Sequence, residues 1–310
     1  MASSDEWRNW AELPHDVLSV IFGKLGAFEV LFPAQWVCRA WKRFSHEPAL
    51  WRCVDIRLDP DMVLMVPIEE IARRAVDRAA GQLEAFYAEH CGSDDLLRYI
   101  ADRTNTFRNL RLISCYNVSD KGLIEIGNRS PLLEELETTL CSLSADVYES
   151  IGRTCSQLKH LRLNTPWYEL LEDLAEPETY CNKKAMAIAN TMHKLRHLQL
   201  VGNQLTNTGL LAILDNCPHL ESLDIRCCFH VKLDGDMSRR LSRIREVRLP
   251  NDSIDDFIAM ANIPYDVEYL SGLSEIDLMY DDMVDDFDYN DLSEDEYANL
   301  SEDEYADLFD

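Results

Sequence analysis

The stretch Leu195-Arg196-His197-Leu198-Gln199-Leu200-Val201-Gly202-Asn203-Gln204-Leu205 decides the fold. Its apolar residues fall as apolar-x-x-apolar-x-apolar, and a small polar residue follows three positions on. Leu198-x-Leu200 alternates with period two, the signature of a strand buried on one face. Directly behind it, Leu205-Thr206-Asn207-Thr208-Gly209-Leu210 sets capping residues ahead of an apolar helical face. The stretch therefore encodes one strand turning into one helix. Such a unit cannot bury its apolar side alone and needs copies of itself as neighbours.

The copies are present on both sides. Upstream they read Leu83, Phe86, Ala88, Cys91, then Phe107, Leu110, Leu112, Cys115, then Leu133, Leu136, Thr138, Cys141, then Leu158, Leu161, Leu163. Downstream they read Leu220, Leu223, Ile225, Cys228 and Ile244, Val247, Leu249, Asp252. Successive first residues lie 24, 26, 25, 37, 25 and 24 apart. A period in the twenties with this internal spacing predicts an α/β leucine-rich-repeat solenoid, a horseshoe with a long curved binding surface. The repeats resemble the cysteine-containing subtype.

Trp51, Val54, Ile56 and Asp59 fit the same spacing one step earlier, and Ile68, Ile71, Ala72, Ala75, Val76 and Ala79 share one helix face behind them. Leu273, Ile276, Leu278 and Asp281 fit a last strand, so the repeat domain is expected over 51–280. The long step holds an insertion around 167–184, which reads either as part of the binding face or as a tolerated surface loop.

The recurring cysteines invite a metal reading. No C-x-x-C pair exists, and zinc sites ordinarily close with two such pairs. A small buried thiol at the turn after each strand explains the row better. No metal and no cofactor are expected.

Residues 10–50 follow another pattern. Leu13-Pro14 opens a helix in which Val17, Leu18, Ile21, Phe22 and Leu25 recur at helical spacing. A second helical stretch is expected through Val37, Cys38, Trp41 and Phe44, with Pro33 starting a new turn before it. Helices this few and short make too small a core to stand alone, so the unit needs a covering partner.

These residues resemble an F-box: Leu13-Pro14-x-x-Val17-Leu18-x-x-Ile21-Phe22-x-x-Leu25, then Val37-Cys38-Arg39-x-Trp41, then Leu50-Trp51. With repeats behind it, the chain resembles plant F-box/leucine-rich-repeat proteins of the Skp-interacting-partner type. The resemblance implies a small all-α F-box domain at 10–50 that docks a Skp-family adaptor, and through it a cullin and a RING subunit. Leu13, Pro14, Val17, Leu18, Ile21, Phe22, Leu25, Val37, Cys38 and Trp41 are its expected adaptor contacts.

The net charge of −26 argues against a nucleic-acid partner, because phosphate binding needs a basic surface. Residues 277–310 hold fifteen Asp and Glu with no Lys or Arg, so 281–310 is expected to be a disordered acidic tail. No apolar run reaches the length of about 18 residues that a membrane span requires. The N-terminus lacks the apolar core of an export signal, and the ten cysteines are read as reduced thiols of the cytosol or nucleus.

Between the inward leucines, alternate side chains face outward. The middle outward position gives Tyr87, Arg111, Glu137, Arg162, Gln199, Asp224 and Arg248, and the next gives Glu89, Ile113, Thr139, Asn164, Val201, Arg226 and Pro250. Tyr87, Arg111, Arg162, Gln199, Arg226 and Arg248 are the expected contacts to a protein substrate. The arginines suit an acidic or phosphorylated segment; an ordinary mixed-charge sheet is the competing reading.

No phosphate-binding loop, zinc-protease motif, nucleophile elbow or paired RING ligands occur. With the F-box resemblance, which implies a ubiquitin ligase of the SCF type, the expected function is a non-catalytic substrate receptor of such a ligase. The alternative is a repeat scaffold with no ligase role.

Overall fold

Alternation along each short strand sends every second side chain inward, and the inward rows of neighbouring repeats line up. The structure is a computed structural model that describes residues 10–56, 67–165 and 178–257. Asp59, most of the insertion, the strand expected at 273–281 and the acidic tail lie outside those residues. The chain divides into two units, Met1–Ile263 and Pro264–Asp310, and everything described belongs to the first.

Among the described residues, eight parallel strands form one sheet in sequence order. They are β1 (Cys53–Ile56), β2 (Ala85–Glu89), β3 (Asn109–Ile113), β4 (Glu135–Thr139), β5 (His160–Arg162), β6 (His197–Gln199), β7 (Ser222–Asp224) and β8 (Glu246–Arg248). Val54, Phe86, Leu110, Leu136, Leu161, Leu198, Leu223 and Val247 stand in one row across the sheet. This is the register the spacing predicts. All but Val247 are buried, and each full burial contributes roughly 1.5–3 kcal/mol. The polar intruder Thr138 is satisfied by the hydroxyl of Tyr148 at 2.9 Å.

A helix returns the chain after each strand. Three short helices, α1 (His15–Phe22), α2 (Ala27–Leu31) and α3 (Arg39–Phe44), precede the sheet. They are followed by α4 (Ile68–Arg78), α5 (Asp94–Arg103), α6 (Asp120–Arg129), α7 (Ala145–Thr154), the single turn α8 (Glu178–Cys181), α9 (Lys183–Thr191), α10 (Asn207–Asn216) and α11 (Gly235–Leu241).

Adjacent helices are tied at their N-termini. The carboxylate of Asp94 accepts from the Ser119 backbone N–H at 2.8 Å and from its hydroxyl at 2.5 Å. Asp120 accepts from the Ser144 N–H at 3.0 Å, and Asn182 accepts from the Thr206 N–H at 3.0 Å. Asn207 binds both the N–H and the carbonyl of Lys232. Helix N-termini leave backbone donors unpaired; here the preceding repeat helps to secure the turn that leads into the next helix. The close approach excludes a side chain: a Cβ on Gly209 would run into Asn182 and Ala185.

After the strand the chain turns through the left-handed region at His90, Ser114, Leu140, Gly202 and Cys227, with φ between 52° and 72°. The next residue is the recurring cysteine or asparagine, and Cys115, Cys141, Asn203 and Cys228 bond back to the preceding repeat. Cys115 Sγ donates to the Cys91 carbonyl at 2.8 Å, Cys228 Sγ to the Leu200 carbonyl at 2.9 Å, and Asn203 Nδ2 to the Leu163 carbonyl at 2.7 Å. Burial pushes the Cys91 thiol up to about 12 and Cys141 to about 11. The row is a set of protonated turn ligands.

Candidate functional site

The N-terminal helices pack around an aromatic cluster. Phe22 meets Trp41 and Phe44 edge-on, with ring centroids 5.3 Å and 5.0 Å away. Trp41 Nε1 donates to the Trp10 carbonyl at 3.0 Å. Leu18, Phe22 and Trp41 are therefore interior residues of this module, and the expectation that they touch a partner directly is corrected. Ile21, Leu25 and Leu13 are half-buried against the same core.

The apolar side chains left exposed are a different subset. Pro14 is exposed at the start of α1. Val17 and Val20 lie three residues apart on α1, and Val20 keeps 62% of its surface. Trp36 and Val37 are exposed by 59% and 50%. Val20 and Trp36 were not among the expected contacts. The helix expected through Val37 and Cys38 is broken: Ala34–Trp36 form one 3-10 turn behind Pro33, and Cys38 is an extended cap before α3. That break presents Trp36 and Val37. A group of exposed large apolar side chains on a charged surface is the usual mark of a protein-binding face.

The module is fastened to the repeats. Arg78 on α4 donates to the Ser45 carbonyl at 3.1 Å and to the Gln35 side chain at 3.0 Å. Trp51 Nε1 donates to the same Ser45 carbonyl at 2.7 Å. Apolar packing runs unbroken from Leu18 and Phe22 through Val54 and Ile71 into the solenoid.

On the concave face the middle rung is confirmed in register: Asp55, Tyr87, Arg111, Glu137, Arg162, Gln199, Asp224 and Arg248 stand side by side. The arginines are engaged within the sheet. Arg111 and Arg162 each lie 3.0 Å from Glu137, whose carboxylate is fully buried. Arg162 also reaches Glu135 at 3.2 Å. Arg226 pairs with Asp224 at 2.7 Å and with Asp256, which Arg248 also holds.

The next outward position departs from expectation. Glu89, Ile113, Thr139, Asn164, Val201 and Arg226 are buried. Arg226, at 1% exposure, is a cross-link that closes the last repeats and not a surface contact. Side chains on this inner rung crowd one another where adjacent strands are about 4.8 Å apart, and they hydrogen-bond laterally, as Asn164 does to Thr139 at 2.8 Å.

Two family models match the chain: F-box-like over residues 10–57 and Leucine Rich repeat over residues 191–214. The proteins to which the chain is similar include these of Arabidopsis thaliana. F-box protein SKIP19 is 43% identical, over 91% of this chain and 89% of that protein. F-box/LRR-repeat protein 23 is 43% identical over 80% of this chain, which spans 55% of its length. F-box protein SKIP1 is 28% identical over 80% of this chain and 89% of that protein.

Proposed function

The chain belongs to the F-box/leucine-rich-repeat family, and on that premise we propose that it is the substrate-recognition subunit of an SCF-type ubiquitin ligase. Its F-box docks a Skp-family adaptor, which brings the cullin and RING subunits, and the repeats hold the target protein. The observation that carries this reading is the set of apolar side chains left exposed, Pro14, Val17, Val20, Trp36 and Val37, on a module otherwise committed to its own core. Leaving such side chains in water is unfavourable, and an adaptor would cover them.

The chain itself performs no bond chemistry in this reading. It raises the concentration of the target near the catalytic subunits. The fastening at Arg78 and Ser45 supports the role, because a target held by the repeats then keeps a fixed relation to the adaptor face. The reading places the complex in the cytosol or nucleus, where the chain's ten thiols stay reduced.

The experiment is copurification of the full chain with a Skp-family adaptor, a cullin and a RING subunit. Proteins that accumulate when the chain is removed from cells are then identified. The reading expects a four-subunit complex and at least one accumulating protein that binds the repeats. Repeats that bind partners without recruiting the adaptor would make the chain a scaffold instead.

A further inference from the structure

The concave face is divided. Toward its start lies the block Arg111, Glu135, Glu137 and Arg162, and toward its end the block Asp224, Arg226, Arg248 and Asp256, each internally compensated. Between them lies a window of four polar, half-buried side chains: His160, His197, Gln199 and Ser222. His160 pairs with His197 across β5 and β6, and His197 with Ser222 across β6 and β7. The imidazoles stack face to face, with centroids 4.4 Å apart and planes 8° from parallel. Among the described residues, none of the four side chains makes a hydrogen bond, although every other charged group of the two flanking blocks is engaged.

We propose that the His160–His197 pair is a proton-linked docking site for an aspartate or glutamate side chain of a polypeptide bound on the concave face. This deepens the reading that the repeats hold a protein target, and it rests on that part of the reading alone.

The chemistry selects the sign of the ligand. An imidazole can take up a proton and so gain positive charge, and it does not gain negative charge in this pH range. A carboxylate arriving here is met by a site able to take up a proton and compensate it. A lysine or arginine would be desolvated with no counter-charge.

The surrounding charges fit this. On β4 and its approach, Glu135 is held by Asn109 and Arg162, Glu137 by Arg111 and Arg162, and Glu134 by Arg108 and Lys159. Beside the pair itself, Lys159 and Arg162 flank His160, and Arg196 precedes His197. On the β7 side, Glu221 is paired with Arg196 and Asp224 with Arg226. Burial first, then His197, hold His160 below its ordinary value. A bound carboxylate reverses that balance. The chain's net −26 does not prevent approach, since charges beyond about 8 Å are screened at physiological salt.

The test uses the full chain with a fluorescein-labelled octaglutamate peptide and an octalysine peptide as control. Imidazole NMR signals of His160 and His197, assigned with the single variants His160→Asn and His197→Asn, are followed from pH 5.5 to 8. Octaglutamate is expected to shift both signals and to move the pair's titration upward. Its affinity is expected to tighten about ten-fold between pH 7.5 and 6.0, the linkage of roughly two-thirds of a proton taken up on average. The double variant His160→Asn/His197→Asn is expected to lose that pH dependence while keeping the wild-type melting temperature and adaptor binding. Unmoved imidazole signals, equal shifts with octalysine, or an unchanged pH dependence in the double variant would each overturn the proposal. Adaptor binding is a separate measurement, so its failure would sink the ligase reading and leave this site standing.

Discussion

Single residues carry two kinds of information here, and only one could be read in advance. Parity along a strand tells which side chains point inward, so Leu136, Leu161 and Leu198 could be placed from spacing alone. Pairing across strands could not, because it depends on which carboxylate stands beside each arginine. Arg111, Arg162, Arg226 and Arg248 thus left two readings open, a surface for an acidic segment or a mixed-charge sheet, and all four are compensated within the sheet. The left-handed turns were equally hidden, since only Gly202 among those five positions advertises a positive φ.

Two predictions belong at this scale. With iodoacetamide at pH 8, the exposed Cys53 should be alkylated while Cys91, Cys115, Cys141 and Cys228 stay unmodified until the chain unfolds. Peptide mapping checks this, and modification of the row at the rate of Cys53 would remove its role as buried turn ligands. The second concerns Asp256, whose hydrogen bond from Arg226, reinforced by Arg248, holds its pKa near about 2. A depressed carboxylate stabilises the fold above its unfolded pKa and loses that contribution as pH falls through the folded value. The urea-midpoint gap between wild type and Asp256→Asn should therefore be constant above pH 5 and shrink between about pH 4 and pH 2. A gap independent of pH would refute the pairing.

At the scale of elements, strand and helix signals agreed with the structure wherever periodicity was long. They failed where one short segment serves two surfaces. The stripe Val17, Leu18, Ile21, Phe22 and Leu25 reads as a single apolar face, yet α1 buries Leu18 and Phe22 while Val17 and Val20 stay outside. An apolar pattern locates a helix face but does not say which neighbour covers it.

The N-terminal ties between helices also went unseen, because their partners lie 24 or 25 residues apart. Gly209 tests them. Gly209→Ala should lower stability by about 1–3 kcal/mol, as its methyl displaces Asn182 from the Thr206 N–H. Gly235→Ala, which meets open space, should be neutral or slightly stabilising. Calorimetry on both variants decides, and equal melting temperatures would contradict the tie. For the register, Leu198→Asp should abolish cooperative unfolding, since an unpaired buried charge costs several kcal/mol. Lys159→Ala removes a half-exposed pair with Glu134 and should cost about 1 kcal/mol or less.

At the scale of the molecule, the F-box and the repeats are continuous through one apolar core, and Arg78 and Trp51 bind the same Ser45 carbonyl at the junction. In the proposed function, labour is divided along that body: the exposed apolar side chains at its start would take the adaptor, and the concave sheet the target. The central claim is tested most directly by calorimetric titration of a Skp-family adaptor into the full chain and into Val20→Asp and Trp36→Ala, two substitutions on exposed side chains that leave the core intact. Each variant is predicted to melt as wild type does and to lose about 2–4 kcal/mol of adaptor binding, whereas Lys159→Ala, on the sheet, is predicted to bind normally. Wild-type adaptor affinity in both F-box variants would contradict the account.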